Sequence, residues 1–383
     1  MDKIEGYQPT GEDIQKAEGF LDADPALKAQ SEERVKHHFQ ESAVLFHDFM
    51  DSNDLYRDTT ERRQPSIQEK ERMDRYLTDL GNLLKDSDVR WNIDGALNIS
   101  LMRGQYIGVH RDIDISVEEE DLEKLDEALG KKGYGIFLSE NLPDDPEGKR
   151  KLERAAATAA KNEQNRHLVI AKINEQGFIT PGEQLNYLDV HLIRRGKDGR
   201  AMAGEGIAMP KSWDEARAVE FNGTELRLSH SAKVAYYKLR QGRDGQQRQG
   251  RAYDTNDLKL LAESGSLTLE HVNEVEVLLQ EEQAARKELV KNGISALKPE
   301  MDAGEIYNVM AGNPEVKPVL ESIKPALESL SKEIADNPNQ AFELALKYFG
   351  RQEFYKDQLS RAGLLRQWIK DNNEIQETRQ RLK

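Results

Sequence analysis

Two stretches of the sequence decide the fold: Trp91-Asn92-Ile93-Asp94-Gly95-Ala96 and, a short interval later, His110-Arg111-Asp112-Ile113-Asp114-Ile115. The first predicts a short strand that is halted at Gly95 and followed by a short helix, whose free backbone N–H groups and positive dipole end suit a phosphate. The second alternates apolar and polar residues and predicts another strand. Because side chains alternate across a strand, Asp112 and Asp114 project to one face, where they can grip a divalent cation jointly and bridge to a second.

A third carboxylate, Asp189, lies in the strand-like segment Tyr187-Leu188-Asp189-Val190-His191. On a neighbouring strand it could complete a second metal site beside the other two aspartates. Hard oxygen ligands in a chain without cysteine favour Mg²⁺ or Mn²⁺ over zinc. His191 shares the face of Asp189, where it could bind phosphate or metal, or pack as a buried histidine. A helix N-terminus that binds phosphate, together with carboxylates that bind a divalent cation, is the minimum that nucleotidyl transfer from a triphosphate requires.

These segments resemble the nucleotidyltransferase signature of the DNA polymerase β-like superfamily. The His-Arg that precedes Asp112 makes the sequence most similar to the aminoglycoside and lincosamide nucleotidyltransferases, over roughly residues 89–262. The resemblance implies that Asp112, Asp114 and Asp189 are the catalytic metal ligands. It also implies Mg²⁺ or Mn²⁺ as the cofactor and a nucleoside triphosphate, ATP among the expected ones, as the substrate.

The resemblance also assigns nucleotide binding to Gly95 and Ala96. Ala96 replaces the second glycine or serine of the family, so close phosphate approach is kept and any hydroxyl contact is lost. Family members often carry an arginine two residues before the histidine, where this chain has Gly108. Three other cations are expected to contact the triphosphate instead: Arg103, Arg111 and Lys233. For Lys233, a helix-surface lysine paired with an acid is an equally good interpretation.

The implied reaction moves a nucleoside monophosphate to an acceptor hydroxyl and releases pyrophosphate. The resemblance implies a small, antibiotic-like acceptor. Two alternatives stay open: nucleotidylation of a macromolecule (a protein or a tRNA) by a toxin-like enzyme, and a catalytically silent core used for protein interaction. A protein kinase is excluded, because His110-Arg111-Asp112 lacks the required Asn five residues after the Asp, where Val117 stands, and no Gly-rich loop or Asp-Phe-Gly accompanies it.

The expected architecture is α+β, a nucleotidyltransferase-type mixed sheet flanked by helices, with N- and C-terminal helical extensions. The predicted divisions are an N-terminal helical region at 1–88, an α/β core at 89–228, a helical subdomain at 229–264 and a C-terminal helical domain at 265–383. Two local signals are specific. Ser66-Ile67-Gln68-Glu69 is a capping box that opens a helix, and Asn222-Gly223 is a hairpin turn.

Two basic segments bear on the acceptor. An Ala-rich helix is predicted within 145–165, and its start is cationic through Lys149, Arg150, Lys151 and Arg154. The second segment is a loop at 243–251. If the acceptor were an anionic macromolecule, these two segments would steer it to the site. A charged face in solvent is the more ordinary interpretation of both.

Composition excludes several classes of binding partner and cofactor. The chain of 383 residues has 55 Lys and Arg against 70 Asp and Glu, a net charge of -15. This charge argues against strong non-specific binding of DNA and against an anionic membrane surface. The absence of cysteine excludes disulfides, thiolate zinc sites, iron–sulfur clusters and cysteine nucleophiles. No apolar run approaches the roughly 18–20 residues of a membrane span, and the first residues have no signal-peptide core, so a cytoplasmic protein is expected.

Overall fold

The structure, a computed structural model, describes residues 64–110, 113–141, 150–162, 167–175, 177, 179, 187–240, 252–294 and 352–381. Several features predicted from the sequence lie outside these residues: Arg111, Asp112, Lys149, the basic loop at 243–251, and residues 1–63 and 295–351 of the predicted terminal helical regions.

Helix α1, Ile67–Leu84, begins at the predicted capping box. The Glu69 backbone N–H donates to Ser66 Oγ at 3.2 Å, and the Ser66 backbone N–H donates to Glu69 Oε2 at 2.7 Å. Apolar residues at helical spacing form one buried stripe against the sheet: Met73, Leu77, Leu80 and Leu84. This part of the N-terminal extension therefore contributes to the core of the sheet.

One eight-stranded sheet carries the site, with the strand order β4-β3-β5-β6-β2-β1-β8-β7. The strands are β1 Trp91–Ile93, β2 Ile113–Glu118, β3 Tyr134–Asn141, β4 Arg150–Arg154, β5 His167–Lys172, β6 Tyr187–Ile193, β7 Arg217–Phe221 and β8 Thr224–Leu228. Strand β2 runs parallel to β6 and β1 runs parallel to β8, whereas the other neighbouring strands are antiparallel. The sheet is mixed and helices flank it, so the expected α+β class is confirmed.

The remaining described helices are α2 Gly95–Arg103, α3 Leu122–Gly130, α4 Ala157–Asn162, α5 Ser231–Arg240, α6 Ala252–Glu263, α7 Leu269–Ile294 and α8 Gln352–Arg381. One apolar core joins the sheet to α1, α3 and α4. A second core joins α2 to the helices that follow the sheet, α5 to α8. Because α2 packs in this second core, the helical part of the chain lies directly beside the start of α2 at Gly95. Among the described helices, none has the length and apolar character needed to cross a bilayer.

The predicted Ala-rich helix within 145–165 is wrong over its cationic start. Arg150–Arg154 is a strand that pairs antiparallel with β3, and only Ala157–Asn162 is helical. The pairing with β3 provides backbone hydrogen bonds that local helix propensity cannot outweigh. The Arg154 guanidinium lies 5.4 Å from the centre of the Phe137 ring, a cross-strand contact that a helix would not give. Over the described residues Arg150–Arg154, the predicted cationic helix face is therefore replaced by a strand.

The hairpin turn at Asn222-Gly223 is confirmed. Both residues have positive φ, 47° and 79°, and they join β7 directly to β8. Left-handed backbone at both central positions matches the twist of the flanking strands, which is why Asn-Gly is favoured there. The turn fixes the register of β8, which in turn pairs with β1 beside Gly95.

Candidate active site

Two of the predicted carboxylates meet across neighbouring parallel strands. Asp114 on β2 stands directly opposite Asp189 on β6. His191 follows two residues later on β6, on the same face. One ligand atom from each of these three side chains lies within 4.8 Å of the others. The parallel pairing thus forms a compact cluster from residues that are distant in sequence.

Gly95 packs against the Asp114 carboxylate. Its φ of +64° lies in the left-handed region, and a Cβ at this position would lie 2.0 Å from Asp114 Oδ2. The neighbouring Asp94 backbone N–H donates to the Asp114 carbonyl at 2.8 Å. The Asp94 side chain makes no capping hydrogen bond to α2. Glycine is therefore required here, and the N-terminus of α2 adjoins the carboxylate cluster with its first N–H groups uncapped by that side chain.

A buried polar network lies beneath these acids. Asp94 is 3% exposed and Lys233 is 4% exposed. Lys233 Nζ donates to Ser116 Oγ at 3.1 Å, and Ser116 Oγ is 3.3 Å from Ser229 Oγ. His191 Nδ1 lies 3.8 Å from Asp94 Oδ2. The interpretation of Lys233 as a helix-surface lysine is therefore wrong, because its ammonium is buried beside the site.

Asp94 and His191, two members of this network, both carry a charge at neutral pH. Burial raises the pKa of Asp94, but the positive charge of Lys233 and the interaction with His191 outweigh it and hold the pKa at about 2. Burial lowers the pKa of His191, but Asp94, followed by the charges of Asp189 and Asp114, outweighs it and raises the pKa to about 9. The His191 side chain is still 43% exposed. An imidazolium therefore faces solvent next to three carboxylates.

The donor set fits a hard divalent cation. Asp189 Oδ1 is buried and has no hydrogen-bond partner among the described residues, and it stands beside Asp114. An acceptor-only oxygen left unsatisfied in this way is suited to a cation. His191 completes this cluster as a third candidate ligand, and in its protonated form it can instead donate to a phosphate oxygen. Among the described residues, Asp114 and Asp189, with His191 as a third candidate ligand, could hold Mg²⁺ or Mn²⁺.

The other predicted nucleotide contacts are separated by α2. Gly95 and Ala96 begin this helix beside the acids, whereas Arg103 ends it, about 12 Å along the helix axis. Arg103 Nη1 donates to the Leu260 carbonyl at 3.1 Å and to Glu263 Oε2 at 3.2 Å, both on α6. The structure therefore brings Gly95, Ala96, Asp114, Asp189 and Lys233 together, and it directs Arg103 to another helix.

Sequence reasoning missed three members of the site, Asp94, Ser116 and Ser229. Asp94 stands in the motif itself, immediately before Gly95, but nothing in the pattern indicates that it is buried against Lys233. Ser116 could have been found, because it lies two residues after Asp114 and so shares its face of β2. Ser229 comes from the loop after β8, whose pairing with β1 is not visible in the sequence.

Comparison with known proteins supports the expected class. Residues 76–144 match the family model described as aminoglycoside-2''-adenylyltransferase. This match confirms the resemblance to the nucleotidyltransferases, in the branch that the His-Arg motif indicated, and with it the expected kind of enzyme. The matched segment begins within α1, contains Gly95 and Asp114, and ends before Asp189. Comparison with curated protein sequences gave no match.

Several solved structures are similar to this chain. The lincosamide antibiotic adenylyltransferase LnuA, bound to lincomycin, is 18% identical, with a TM-score of 0.30, and the alignment covers 52% of this chain and 98% of that one. The antibiotic-resistance factor ANT(2'')-Ia is 13% identical, with a TM-score of 0.33 and coverages of 54% and 88%. JHP933 from Helicobacter pylori is 14% identical, with a TM-score of 0.28 and coverages of 82% and 99%. Sequence identities and TM-scores this low give no information about the substrate of this chain.

Proposed function

We propose that this chain transfers a nucleoside monophosphate from a nucleoside triphosphate to a hydroxyl of a small, antibiotic-like molecule and releases pyrophosphate. The observation that carries the proposal is the packing of Gly95, at the N-terminus of α2, against Asp114, which itself stands opposite Asp189. An anion-binding helix end next to paired carboxylates suits a triphosphate that arrives with a divalent cation. The match to the aminoglycoside adenylyltransferase family supports the same reaction.

In the proposed mechanism Asp114 and Asp189 hold the divalent cation, together with Asp112, which the family resemblance adds. Bound Mg²⁺ or Mn²⁺ would neutralise the triphosphate and acidify the acceptor hydroxyl. The N–H groups at the start of α2 and the exposed His191 imidazolium bind phosphate oxygens. Lys233 lies one layer beneath and offsets the charge of Asp94. The acceptor hydroxyl loses its proton to water as its oxygen attacks the α-phosphorus in line, and the bond to pyrophosphate breaks.

A small acceptor is favoured over a macromolecule. The macromolecular alternative relied on two basic segments; the predicted cationic helix is the strand β4 over Arg150–Arg154, and the loop at 243–251 lies outside the described residues. The alternative of a silent interaction module is not favoured either, because the carboxylates, the glycine and the buried lysine are all present around one cluster. ATP, magnesium and a cytoplasmic location complete the proposal, by resemblance to the family.

Transfer is tested with the full chain, each labelled nucleoside triphosphate and Mg²⁺. A panel of aminoglycosides and lincosamides serves as acceptors, with bulk tRNA and lysate protein in separate reactions. We expect label on a small acceptor, with one pyrophosphate released per acceptor modified. Label that appears only on tRNA or protein would contradict the small-acceptor part of the proposal. Absence of transfer to every acceptor, with every nucleotide, would contradict the whole of it.

A further inference from the structure

A buried hydrogen bond joins the middle of α2 to the segment that leads into β2. Ser100 Oγ on α2 lies 2.8 Å from His110 Nε2, and the two residues are 2% and 7% exposed. Only two residues separate His110 from the start of β2 at Ile113, and the second of them is Asp112. Two residues of extended chain span at most about 7 Å, so the position of His110 limits where Asp112 can lie relative to α2.

The Ser100 hydroxyl uses its full hydrogen-bonding capacity at this position. It donates to the Ala96 carbonyl at 3.2 Å and accepts from the Ile107 backbone N–H at 3.2 Å. A serine hydroxyl has one donor and two acceptor sites, so the count assigns the second acceptor site to His110, which donates from Nε2. Loss of the hydroxyl would therefore remove the acceptor of two buried N–H groups, which is costly.

The segment between α2 and β2 is also held by α1. Tyr106 donates its hydroxyl to Asp74 Oδ1 at 2.6 Å, and the His110 backbone N–H donates to Met73 Sδ at 3.2 Å. Gly104, with a φ of +67°, ends α2 and lets the chain turn back along that helix. The segment is therefore attached to two helices, α1 and α2, before it reaches the carboxylate strand.

The contact between Ser100 and His110 complements another contact at the start of α2. There the Asp94 backbone N–H donates to the Asp114 carbonyl at 2.8 Å. Ser100 lies five residues after Gly95, which is about 7.5 Å further along the helix. Contacts at two separate points fix the direction of a helix relative to a strand, whereas a single contact leaves that direction free to change.

We infer that Ser100 and His110 are positioning residues, which set the carboxylates of Asp112 and Asp114 relative to the start of α2. This inference rests on the proposed function, in which the start of α2 binds phosphate and the carboxylates bind a divalent cation. The two groups act on one substrate and must be aligned with each other. A displacement of about 1 Å, even when it originates away from the reacting atoms, can slow a reaction roughly 100-fold.

The test uses two substitutions of His110 that differ in reach. Glutamine places an amide N–H where the imidazole has Nε2, whereas asparagine is one methylene shorter and does not reach Ser100. The full chain is compared with His110→Gln, His110→Asn, Ser100→Ala and the double variant Ser100→Ala/His110→Asn. Ser264→Ala is the matched control, because the Ser264 hydroxyl also donates to a carbonyl, that of Leu261, and accepts from a backbone N–H, that of Ser266. Urea unfolding gives the folded fraction of each variant.

The first readout is the transfer rate per folded molecule. We expect kcat to fall roughly 10- to 100-fold in Ser100→Ala and His110→Asn. The KM for nucleoside triphosphate should stay within threefold, because the phosphate-binding start of α2 is retained. His110→Gln and Ser264→Ala should keep more than a third of the unmodified kcat. The double variant should be no slower than the slower single variant, since both substitutions remove the same contact.

The second readout is Mn²⁺ binding, followed by electron paramagnetic resonance, which does not require transfer. Ser100→Ala and His110→Asn should weaken Mn²⁺ binding fivefold or more, whereas His110→Gln and Ser264→Ala should leave it within twofold.

Three results would overturn the inference and leave the proposed function intact: rates that fall only with the folded fraction, equal losses in His110→Gln and His110→Asn, or losses that multiply in the double variant. Unchanged Mn²⁺ affinity in Ser100→Ala and His110→Asn would overturn it too. An unmodified chain that binds Mn²⁺ but modifies no acceptor would refute the proposed function, and the Mn²⁺ affinities of the variants would then decide the inference.

Discussion

Asp114 and Asp189 face each other as direct partners on the parallel strands β2 and β6. Like charges opposite each other on adjacent strands destabilise a sheet unless a cation lies between or near them. The His191 imidazolium offsets part of this repulsion, and a divalent cation would offset the rest. Paired like charges, which are unfavourable for folding, are expected at a functional site.

Replacing Asp114 or Asp189 by asparagine should separate the contribution of the carboxylate to transfer from its effect on stability. We expect Asp114→Asn and Asp189→Asn to lower transfer to less than a tenth of the unmodified rate, a loss above about 1.4 kcal/mol, while the free energy of unfolding stays equal or rises slightly. Glu225→Gln is the matched control, an exposed strand carboxylate on β8 that also faces an acid, Glu220. Initial rates with labelled nucleotide and urea unfolding measure both quantities. Asp114→Asn with more than a tenth of the activity would show that its assigned role is wrong.

Gly95 and Gly104 provide an internal comparison at the two ends of α2. Both have positive φ, 64° and 67°. A Cβ at Gly95 would meet Asp114 Oδ2 at 2.0 Å, whereas a Cβ at Gly104 would meet nothing within 4 Å. Both Gly95→Ala and Gly104→Ala should cost about 1–2 kcal/mol of stability from backbone strain, but only Gly95→Ala should lower transfer at least tenfold. Equal activity in the two variants would contradict the contact with Asp114.

Much of this arrangement could be predicted from the sequence, because its signals are local. The capping box at Ser66, the Asn222-Gly223 turn and the strand–glycine–helix motif each act over a few residues. What could not be predicted depends on pairing between distant segments. Arg150–Arg154 is a strand because β3 pairs with it. Lys233 is buried because α5 packs with α2 and the later helices, and its ammonium reaches Ser116 on β2. Arg103 carries a suitable charge, but α2 directs it to α6.

The buried charge of Lys233 should be costly to remove on its own. Lys233→Met leaves Asp94 without its main compensating charge, so we expect a loss of about 3 kcal/mol in the free energy of unfolding. Adding Asp94→Asn should restore part of this loss, because the uncompensated charge is then gone. A double-mutant cycle by urea unfolding measures the coupling. Strict additivity of the two changes would refute the charge compensation.

Lys238→Met is the control for Lys233→Met, because it should lower stability without lowering activity. Lys238 forms a buried ion pair with Asp257, at 3.0 Å, between α5 and α6. Its loss should destabilise the chain by a comparable amount but leave transfer per folded molecule unchanged. Lys233→Met should reduce both. If both lysine variants lose activity in proportion to stability, Lys233 has no role specific to the site.

Low pH should weaken the contacts that Asp121 makes with Arg90 and Lys124, which are unrelated to the carboxylate cluster. Burial raises the pKa of Asp121, but hydrogen bonds from Arg90 and Lys124 outweigh it and hold the pKa at about 2, below the ordinary 3.8. Its contribution is therefore present above about pH 4 and is lost as the pH falls toward 2. The difference in unfolding free energy between the unmodified chain and Asp121→Asn should be constant near neutrality. It should shrink below pH 4 by up to about 1.4 kcal/mol per pH unit.

Urea unfolding of both chains between pH 3 and 7 measures this difference. Asp198→Asn is the control, because Asp198 also pairs with an arginine, Arg200, but on an exposed turn. We expect that variant to unfold with a free energy close to that of the unmodified chain throughout. A difference for Asp121→Asn that grows as the pH falls would contradict the assigned direction of the pKa shift.

The central claim is that Asp114 and Asp189 bind a nucleoside triphosphate through a divalent cation. Titration calorimetry of ATP, GTP, CTP and UTP into the full chain, once in Mg²⁺ and once in chelator, tests it most directly. We predict binding of at least one nucleotide in Mg²⁺, weakened tenfold or more both by chelator and by Asp114→Asn. Equal binding with and without Mg²⁺, or no binding of any nucleotide, would contradict the claim.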